Sequence, residues 1–237
     1  MVQIYKNEAV IFDLDDLLYK EFDYLRSGYW EIAKAVDHSS PKKMFRVMMA
    51  QYFLENNVFN WVIDNYAQDN EKACLPFLLN IYRNHKPDIA INADAAKLLT
   101  LLKKNGNKIG LITDGRSVTQ RNKIDALGLK YWISEFIISE EIGFEKPSPE
   151  PYLILMERLK SDHYVYLADN YNKDFLAPNN LGWRTIALED NGINIHSKKT
   201  NLDLTYLPSE SIRQLSEINV NSIPLNKNSK MGSILNK

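Results

Sequence analysis

Cysteine is nearly missing from this chain. Cys74 stands alone among 237 residues, so neither an internal disulfide nor a multi-cysteine zinc site is available. Long apolar runs are missing too. The N-terminal "MVQIYKNEAVIF" is too short in apolar character for a signal peptide. No stretch approaches the ~18 continuous apolar residues of a membrane span. Charge of one sign is also lacking. Twenty-nine Lys and Arg against 30 Asp and Glu leave a net charge of −1, with no global basic field to hold nucleic acid or an anionic membrane. His38, His85, His163 and His196 show no metal-ligand spacing and are expected to be structural or exposed. There is no internal repeat and no low-complexity block. The expectation is a soluble, cytoplasmic protein with no nucleic-acid and no membrane partner; oligomeric state is not legible.

What is present is an ordinary globular balance, 45% hydrophobic and 25% charged, in a chain long enough for one large domain or a core with an inserted second one. "EAVIF" predicts a short buried strand. From Leu18 to Ile91 apolar residues recur at three- and four-residue spacings, as in "EFDYLRSGYWEIAKAV", "PKKMFRVMMAQYFLENN" and "KACLPFLLNIYRNH", which predicts amphipathic helices, one of them starting at Pro41. Roughly 75 residues of helix far exceed the ~12 needed for a parallel crossover, so residues 18–91 are expected to be an inserted helical domain. Beyond it the rhythm is helix then strand. "NADAAKLLTLLKKNG" predicts a helix with Asn92 or Asp94 near its start and Gly106 at its end. "KIGLIT", "EFIIS", "YVYLA" and "RTIALE" predict strands, with helices between them at "SVTQRNKIDALG", "SPEPYLILMERLK" and "NKDFLAPNNLG", the last broken or ended at Pro178. "LDLTYL" and "PSESIRQLSEI" are candidates for a final strand and helix. The expected architecture is α/β: a doubly wound, mainly parallel sheet, a Rossmann-like core at 1–17 and 92–225, a helical cap at 18–91 and a fraying tail at 226–237.

In such sheets, sites form beyond the carboxyl ends of strands, near a switch in strand order. Polar residues collect there. "AVIF" runs into Asp13 and Asp15, "KIGLIT" into Thr113, Asp114, Gly115 and Arg116, and "YVYLA" into Asp169 and Asn170, with Asp174 following; "EFIIS" leads to Lys146 in "EEIGFEKPSP". Each alone has a mundane reading: a solvated turn for the aspartates, a helix cap for Thr113 or Asp114, a solvent-facing Lys146, a surface ion pair for Arg116, a surface acid for Asp16.

Together they resemble the haloacid dehalogenase superfamily, in its phosphatase-like members with a helical cap inserted after the first strand. "DLDDL" matches the first motif at Asp13 and Asp15, with Leu17 where threonine or valine is usual; "LITDG" supplies Thr113; "EKPSP" supplies Lys146; "ADNYNKD" supplies Asp169 and Asp174, with Ala168 where glycine is common. The resemblance covers residues 8 to about 190. It implies an Asp13 nucleophile forming an aspartyl phosphate and Asp15 as acid and then base. Thr113, Asp114, Gly115 and Lys146 are implied around the phosphoryl oxygens. Mg²⁺ is implied on Asp13, Asp169, the main-chain carbonyl of Asp15 and Asp174 or a water. The halide-removing branch lacks the second aspartate, so Asp15 favours phosphate chemistry. The expected reaction is Mg²⁺-dependent hydrolysis of a small phosphorylated metabolite, of sugar-phosphate or nucleotide class. A phosphomutase is the alternative within the superfamily. A weakly catalytic binding module is the alternative outside enzymes, supported only by Leu17 and Ala168. Lys20, Lys34, Lys42 and Lys43 sit in no context that marks a Schiff-base lysine. Aromatic residues of the insertion, such as Tyr24, Trp30, Tyr52 and Trp61, are expected mostly in its core.

Overall fold

A computed structural model describes residues 1–68, 70–195 and 202–224; the expected tail at 226–237 lies outside them. The chain runs β1 (Val2–Tyr5), β2 (Glu8–Phe12), α1 (Glu21–Val36), α2 (Pro41–Phe53), α3 (Val58–Tyr66), α4 (Leu75–Asn84), α5 (Ala93–Asn105), β3 (Ile109–Thr113), α6 (Ser117–Ala126), β4 (Glu135–Ile138), α7 (Ser139–Ile142), α8 (Glu150–Leu159), β5 (His163–Ala168), α9 (Leu176–Asn180), β6 (Arg184–Leu188), β7 (Glu210–Ile212) and β8 (Ile218–Asn221). Six strands form a parallel sheet in the order β4-β3-β2-β5-β6-β7. The chain works outward from β2 in one direction through β3 and β4, then in the other through β5, β6 and β7. The reversal falls at the carboxyl end of β2.

The strands are apolar throughout because both faces are covered. Val10 and Phe12 of β2 pack with Leu111, Val165 and Leu167 and with Leu98 and Leu102 of α5. Ala9 and Ile11, pointing the other way, pack with Ile112, Tyr166, Tyr152 and Leu155. The helix expected at Asn92–Gly106 has Asn92 as its N-cap residue and Gly106 in the left-handed region at φ 82°, where a residue without Cβ is unstrained.

Helices α1–α4 have their own core, built on Tyr29, Ile32, Met44, Met48, Val62 and Leu78. At Gly28 a Cβ would lie 2.5 Å from the Tyr82 ring, so glycine is what lets α1 and α4 approach. The two connections to the sheet meet at one point, where the Asn92 amide donates to the Leu18 carbonyl at 2.9 Å. The carbonyl of Arg83, at the end of α4, accepts from Thr119 Oγ1 of α6 at 2.9 Å, and that of His85 accepts from Asn122 Nδ2 at 3.0 Å. A core helix thus supplies donors to the last carbonyls of an insertion helix.

Several elements depart from expectation. Residues 202–218 hold no strand–helix pair. Leu204–Tyr206 is a 3₁₀ turn, β7 begins at Glu210, and a second 3₁₀ turn at Leu215–Glu217 leads into β8. The run "SIRQLSEI" places its apolar residues so that β7 can join the sheet edge, and this tertiary pairing overrides the helical spacing. Strands β1 and β8, not expected from four-residue segments, pair in parallel as a separate ribbon. Helix α3, nine residues long and not expected from sequence, is a further helix of the insertion. Pro178 neither breaks nor ends α9. It is the third residue of that helix, where the missing N–H has no intrahelical partner to lose.

Candidate active site

The reversal in strand order gathers Asp13, Asp15, Thr113, Asp114 and Asp169 around one cavity, with Gly115, Lys146 and Asp174 outside its lining. It has a volume of about 80 Å³ and is lined by Asp13, Asp15, Asp16, Glu21, Thr113, Asp114, Asp169, Asn170 and Lys173. Asp13 follows β2, its amide bonded to the Leu167 carbonyl at 2.9 Å. Thr113 ends β3, and Asp169 follows β5. Lys146, which a lone lysine's usual fate would place in solvent, is buried. Its ammonium lies 2.8 Å from Asp13 Oδ1 and 2.6 Å from Asp174 Oδ1. Asp174, read alone as an early-helix acid, is instead fully buried and accepts from the Asn170 amide at 3.0 Å.

Carboxylate oxygens of Asp13, Asp169 and Asp174 lie within 4.8 Å of one another. Negative charge is therefore concentrated beyond what one ammonium offsets. Burial, reinforced by the neighbouring Asp174, pushes Asp13 up to about 6 despite Lys146. Burial with Asp13 and Asp174 nearby pushes Asp169 up to about 9. Burial alone would pull the Lys146 ammonium down, but Asp13, Asp174 and Asp114 together hold it well above the usual lysine range. Three converging hard oxygen donors, two of them driven toward protonation, fit a divalent cation such as Mg²⁺.

Asp15 lies apart from that cluster. Its Oδ1 accepts from Lys123 Nζ at 2.7 Å and from the Tyr19 hydroxyl, and its Oδ2 from Gln120 Nε2 at 3.1 Å. Burial pushes its carboxyl up, but these partners, Lys123 foremost, outweigh it and hold the group below the usual carboxylate range. Gln120 Nε2 also donates to Thr113 Oγ1 and to the Asp114 carbonyl, each at 2.7 Å. Thr113 thus accepts through its oxygen and keeps its own hydroxyl proton for another acceptor. The Asp114 carboxylate is taken by the Lys146 amide at 3.1 Å and Lys173 Nζ at 2.7 Å. It does not cap α6, whose N-cap residue Arg116 pairs loosely with Glu140 at 3.9 Å on the surface. Gly115 sits at φ 133° with a Cβ position 3.4 Å from Gln120; its amide donates to Ser139 Oγ at 2.9 Å.

Five residues of this neighbourhood were not singled out from sequence: Glu21, Gln120, Lys123, Lys173 and Asn194. Gln120 and Lys123 share one face of a helix that starts at the sheet edge, a three-residue spacing that was available as a signal. Asn194 had no such signal. It arrives from the segment after β6 and donates to Asp169 Oδ2 at 2.9 Å while accepting from Lys20 Nζ at 2.6 Å. Asp16 is a correction. It is not a surface acid but 2% exposed, at φ 56°, accepting from the amides of Glu21 at 3.0 Å and Ile195 at 3.2 Å. Its exposure in isolation is removed because the 190–195 segment folds back over it. Of the histidines, His85 is buried with Nδ1 2.8 Å from the Tyr82 carbonyl, and His196 lies outside the described residues.

A parallel sheet whose first strand carries the carboxylates, interrupted by a helical insertion and completed by Thr, Lys and a second acidic turn, defines a class of hydrolase. The family model for haloacid dehalogenase-like hydrolases matches residues 10–188. The chain belongs to that family, in its phosphatase-like branch. It is 27% identical over 194 residues, 76% of this chain and 83% of the relative, to the glyceraldehyde 3-phosphate phosphatase of Methanopyrus kandleri. It is 26% identical to that of Methanothermobacter thermautotrophicus over 89% of this chain and 99% of the relative. Among solved structures, the magnesium-bound HAD-hydrolase YfnB of Bacillus subtilis superposes with a TM-score of 0.61 at 17% identity, over 89% of this chain and 96% of that one.

Proposed function

We propose that the protein is a Mg²⁺-dependent phosphatase that hydrolyses a small phosphorylated metabolite through an aspartyl phosphate on Asp13. The observation that carries the reading is the placement of Asp13. It ends the central strand, with an ammonium 2.8 Å from one oxygen and two further carboxylates within metal-sharing distance. A cation held by Asp13, Asp169 and Asp174 would supply charge neutralisation of the phosphoryl oxygens. Asp13 attacks phosphorus, and the leaving oxygen takes a proton from Asp15, which has to be protonated in the substrate complex although Lys123, Tyr19 and Gln120 hold it as the carboxylate in the free protein. Water then attacks phosphorus, giving its proton to Asp15, and phosphate departs from Asp13. Lys146 and the Thr113 hydroxyl face the equatorial oxygens, where charge develops. With the Asp114 carboxylate committed to Lys173, any phosphate contact from Asp114 falls to its main chain.

The leaving group would extend into a second cavity of about 730 Å³, lined by Phe22, Tyr52 and Phe53 of the insertion and by Gly192, Asn194 and Ile195. That size suits a small organic molecule. Relatives named glyceraldehyde 3-phosphate phosphatase support a short phosphorylated metabolite as substrate. The test is a panel of phosphorylated metabolites with and without Mg²⁺. The native protein should release phosphate only with Mg²⁺, and Asp13→Asn should release none. Equal rates without metal, or turnover by folded Asp13→Asn, would contradict the reading.

A further inference from the structure

We propose that Lys123 and Gln120 of α6 are positioning residues that fix Asp15 for proton transfer at the leaving-group oxygen. The assignment rests on the phosphatase reading above. Asp15 follows β2 outside the six-stranded sheet, its backbone joined to Tyr19 by an isolated β-bridge that leaves the carboxyl free to rotate. Both its oxygens are engaged instead, Oδ1 by Lys123 and Tyr19 and Oδ2 by Gln120. Rotation of the carboxyl would break a charge-assisted bond.

Lys123 is 3% exposed, and a buried ammonium is costly unless paired. Its only ion pair among the described residues is with Asp15, and its Nζ lies 4.4 Å from the centre of the Tyr24 ring. Ile124 and Leu127 beside it pack in the core. For holding α6 down, an apolar side chain of similar length would serve as well or better; the charge at 123 therefore answers to Asp15. Gln120 adds register. The two hydrogens of one amide nitrogen are shared among Thr113 and the Asp114 carbonyl, each at 2.7 Å, and Asp15 at 3.1 Å, so the proton donor and the phosphate-facing strand end are referred to a single group. Thr119 and Asn122 of the same helix hold the end of α4, which ties the placement of Asp15 to that of the insertion.

The proton balance gives the proposal a signature. As the Asp13 oxygen bonds to phosphorus, the bond from phosphorus to the leaving oxygen breaks and that oxygen takes the Asp15 proton. The resulting carboxylate is the form Lys123 and Gln120 hold, and it later receives the proton of the attacking water. An alkoxide needs the proton to leave; a nitrophenolate does not. The ratio kcat/KM covers binding through leaving-group departure and leaves out the later hydrolysis of the aspartyl phosphate.

The experiment compares kcat/KM for glycerol phosphate and p-nitrophenyl phosphate, with Mg²⁺, in native protein, Lys123→Met and Lys123→Arg. Lys123→Met should lose on the order of 10²-fold on the alkyl phosphate while changing less than about threefold on the aryl one. Lys123→Arg should recover most of the alkyl activity. If Lys123→Met does not fold, Lys123→Gln, which keeps a donor without the charge, should show the same selective loss at reduced size. Equal losses on the two substrates in a folded variant, or no loss, would overturn the assignment while an inert Asp13→Asn left the phosphatase reading standing. Native protein that released phosphate from neither of these substrates nor from any member of the phosphorylated-metabolite panel would overturn both, since Asp15 would then have no leaving group to serve.

Discussion

The edge of the sheet and the helical insertion are built on opposite terms. At the sheet edge almost every contact is polar and joins residues far apart in sequence: Asp13 to Lys146, Asp15 to Lys123, Asp114 to Lys173, Asp169 to Asn194. In the insertion the contacts are apolar and aromatic, with Tyr29 meeting Tyr52, Phe59 and Tyr82 edge to face or tilted. A charged network has few alternative arrangements, because each unpaired buried group costs about 1–3 kcal/mol. An aromatic surface tolerates many shapes at similar energy. On the proposed reading, phosphoryl transfer belongs to the sheet edge and the choice of leaving group to the insertion, from which Glu21 lines the same cavity as Asp13.

The largest effect that sharpens this contrast is expected at Lys146. Lys146→Ala should lower kcat/KM on the order of 10²- to 10³-fold, and by similar factors for every substrate of a phosphate panel, since each carries the same phosphoryl group. A Lys146 variant that merely reordered the panel would break the comparison.

Next comes the segment after β6. Asn194 orients Asp169, and loss of such an outer partner typically weakens metal binding about 10- to 100-fold. Asn194→Ala should show this in Mg²⁺ titration calorimetry while far-ultraviolet circular dichroism stays native. The pH dependence has a definite sign. Asp169 is pushed up to about 9 and Asp13 to about 6 in the metal-free protein, so both bind protons below those values and a cation must displace them. Mg²⁺ affinity should therefore fall as pH is lowered from about 9 toward 6, and binding should release protons, measurable as buffer-dependent enthalpy. Affinity that is flat across that window would argue against these residues as ligands.

The smallest effect is expected in the insertion. Phe22→Ala or Tyr52→Ala should change relative kcat/KM among substrates by factors on the order of 10, leaving the Mg²⁺ requirement untouched. Uniform losses across the panel would merge the two regions that the geometry separates.

The same division explains what could be seen in the sequence. Asp13, Thr113 and Asp169 were legible because each ends an apolar strand, and a parallel sheet brings such ends together whatever the details of packing. Lys146 was legible only through its place before proline in an ordered set of motifs. Its burial between Asp13 and Asp174 is a tertiary fact. Asn194 belongs to a loop whose local pattern is satisfied by a solvated side chain, so nothing local reveals a buried partner; the three-residue spacing of Gln120 and Lys123 marks a shared helix face but not its burial against Asp15. The burial of Asp16 has the same origin, its cover arriving from Ile195. Helices α1 and α2 were legible from period alone, whereas α3, nine residues with apolar groups on several faces, is too short to declare one. β1 and β8 are each four residues long and exist because they find each other across the chain.

The account stands most directly on a covalent bond at Asp13. Native protein should be mixed with a phosphorylated substrate and Mg²⁺, quenched within the first turnovers, reduced with borohydride and digested. An acyl phosphate is reduced where an ordinary carboxylate is not, so peptide mass spectrometry should find homoserine at position 13 and an unmodified Asp15. Rapid phosphate release with Asp13 unmodified, or reduction at Asp15 instead, would contradict the account.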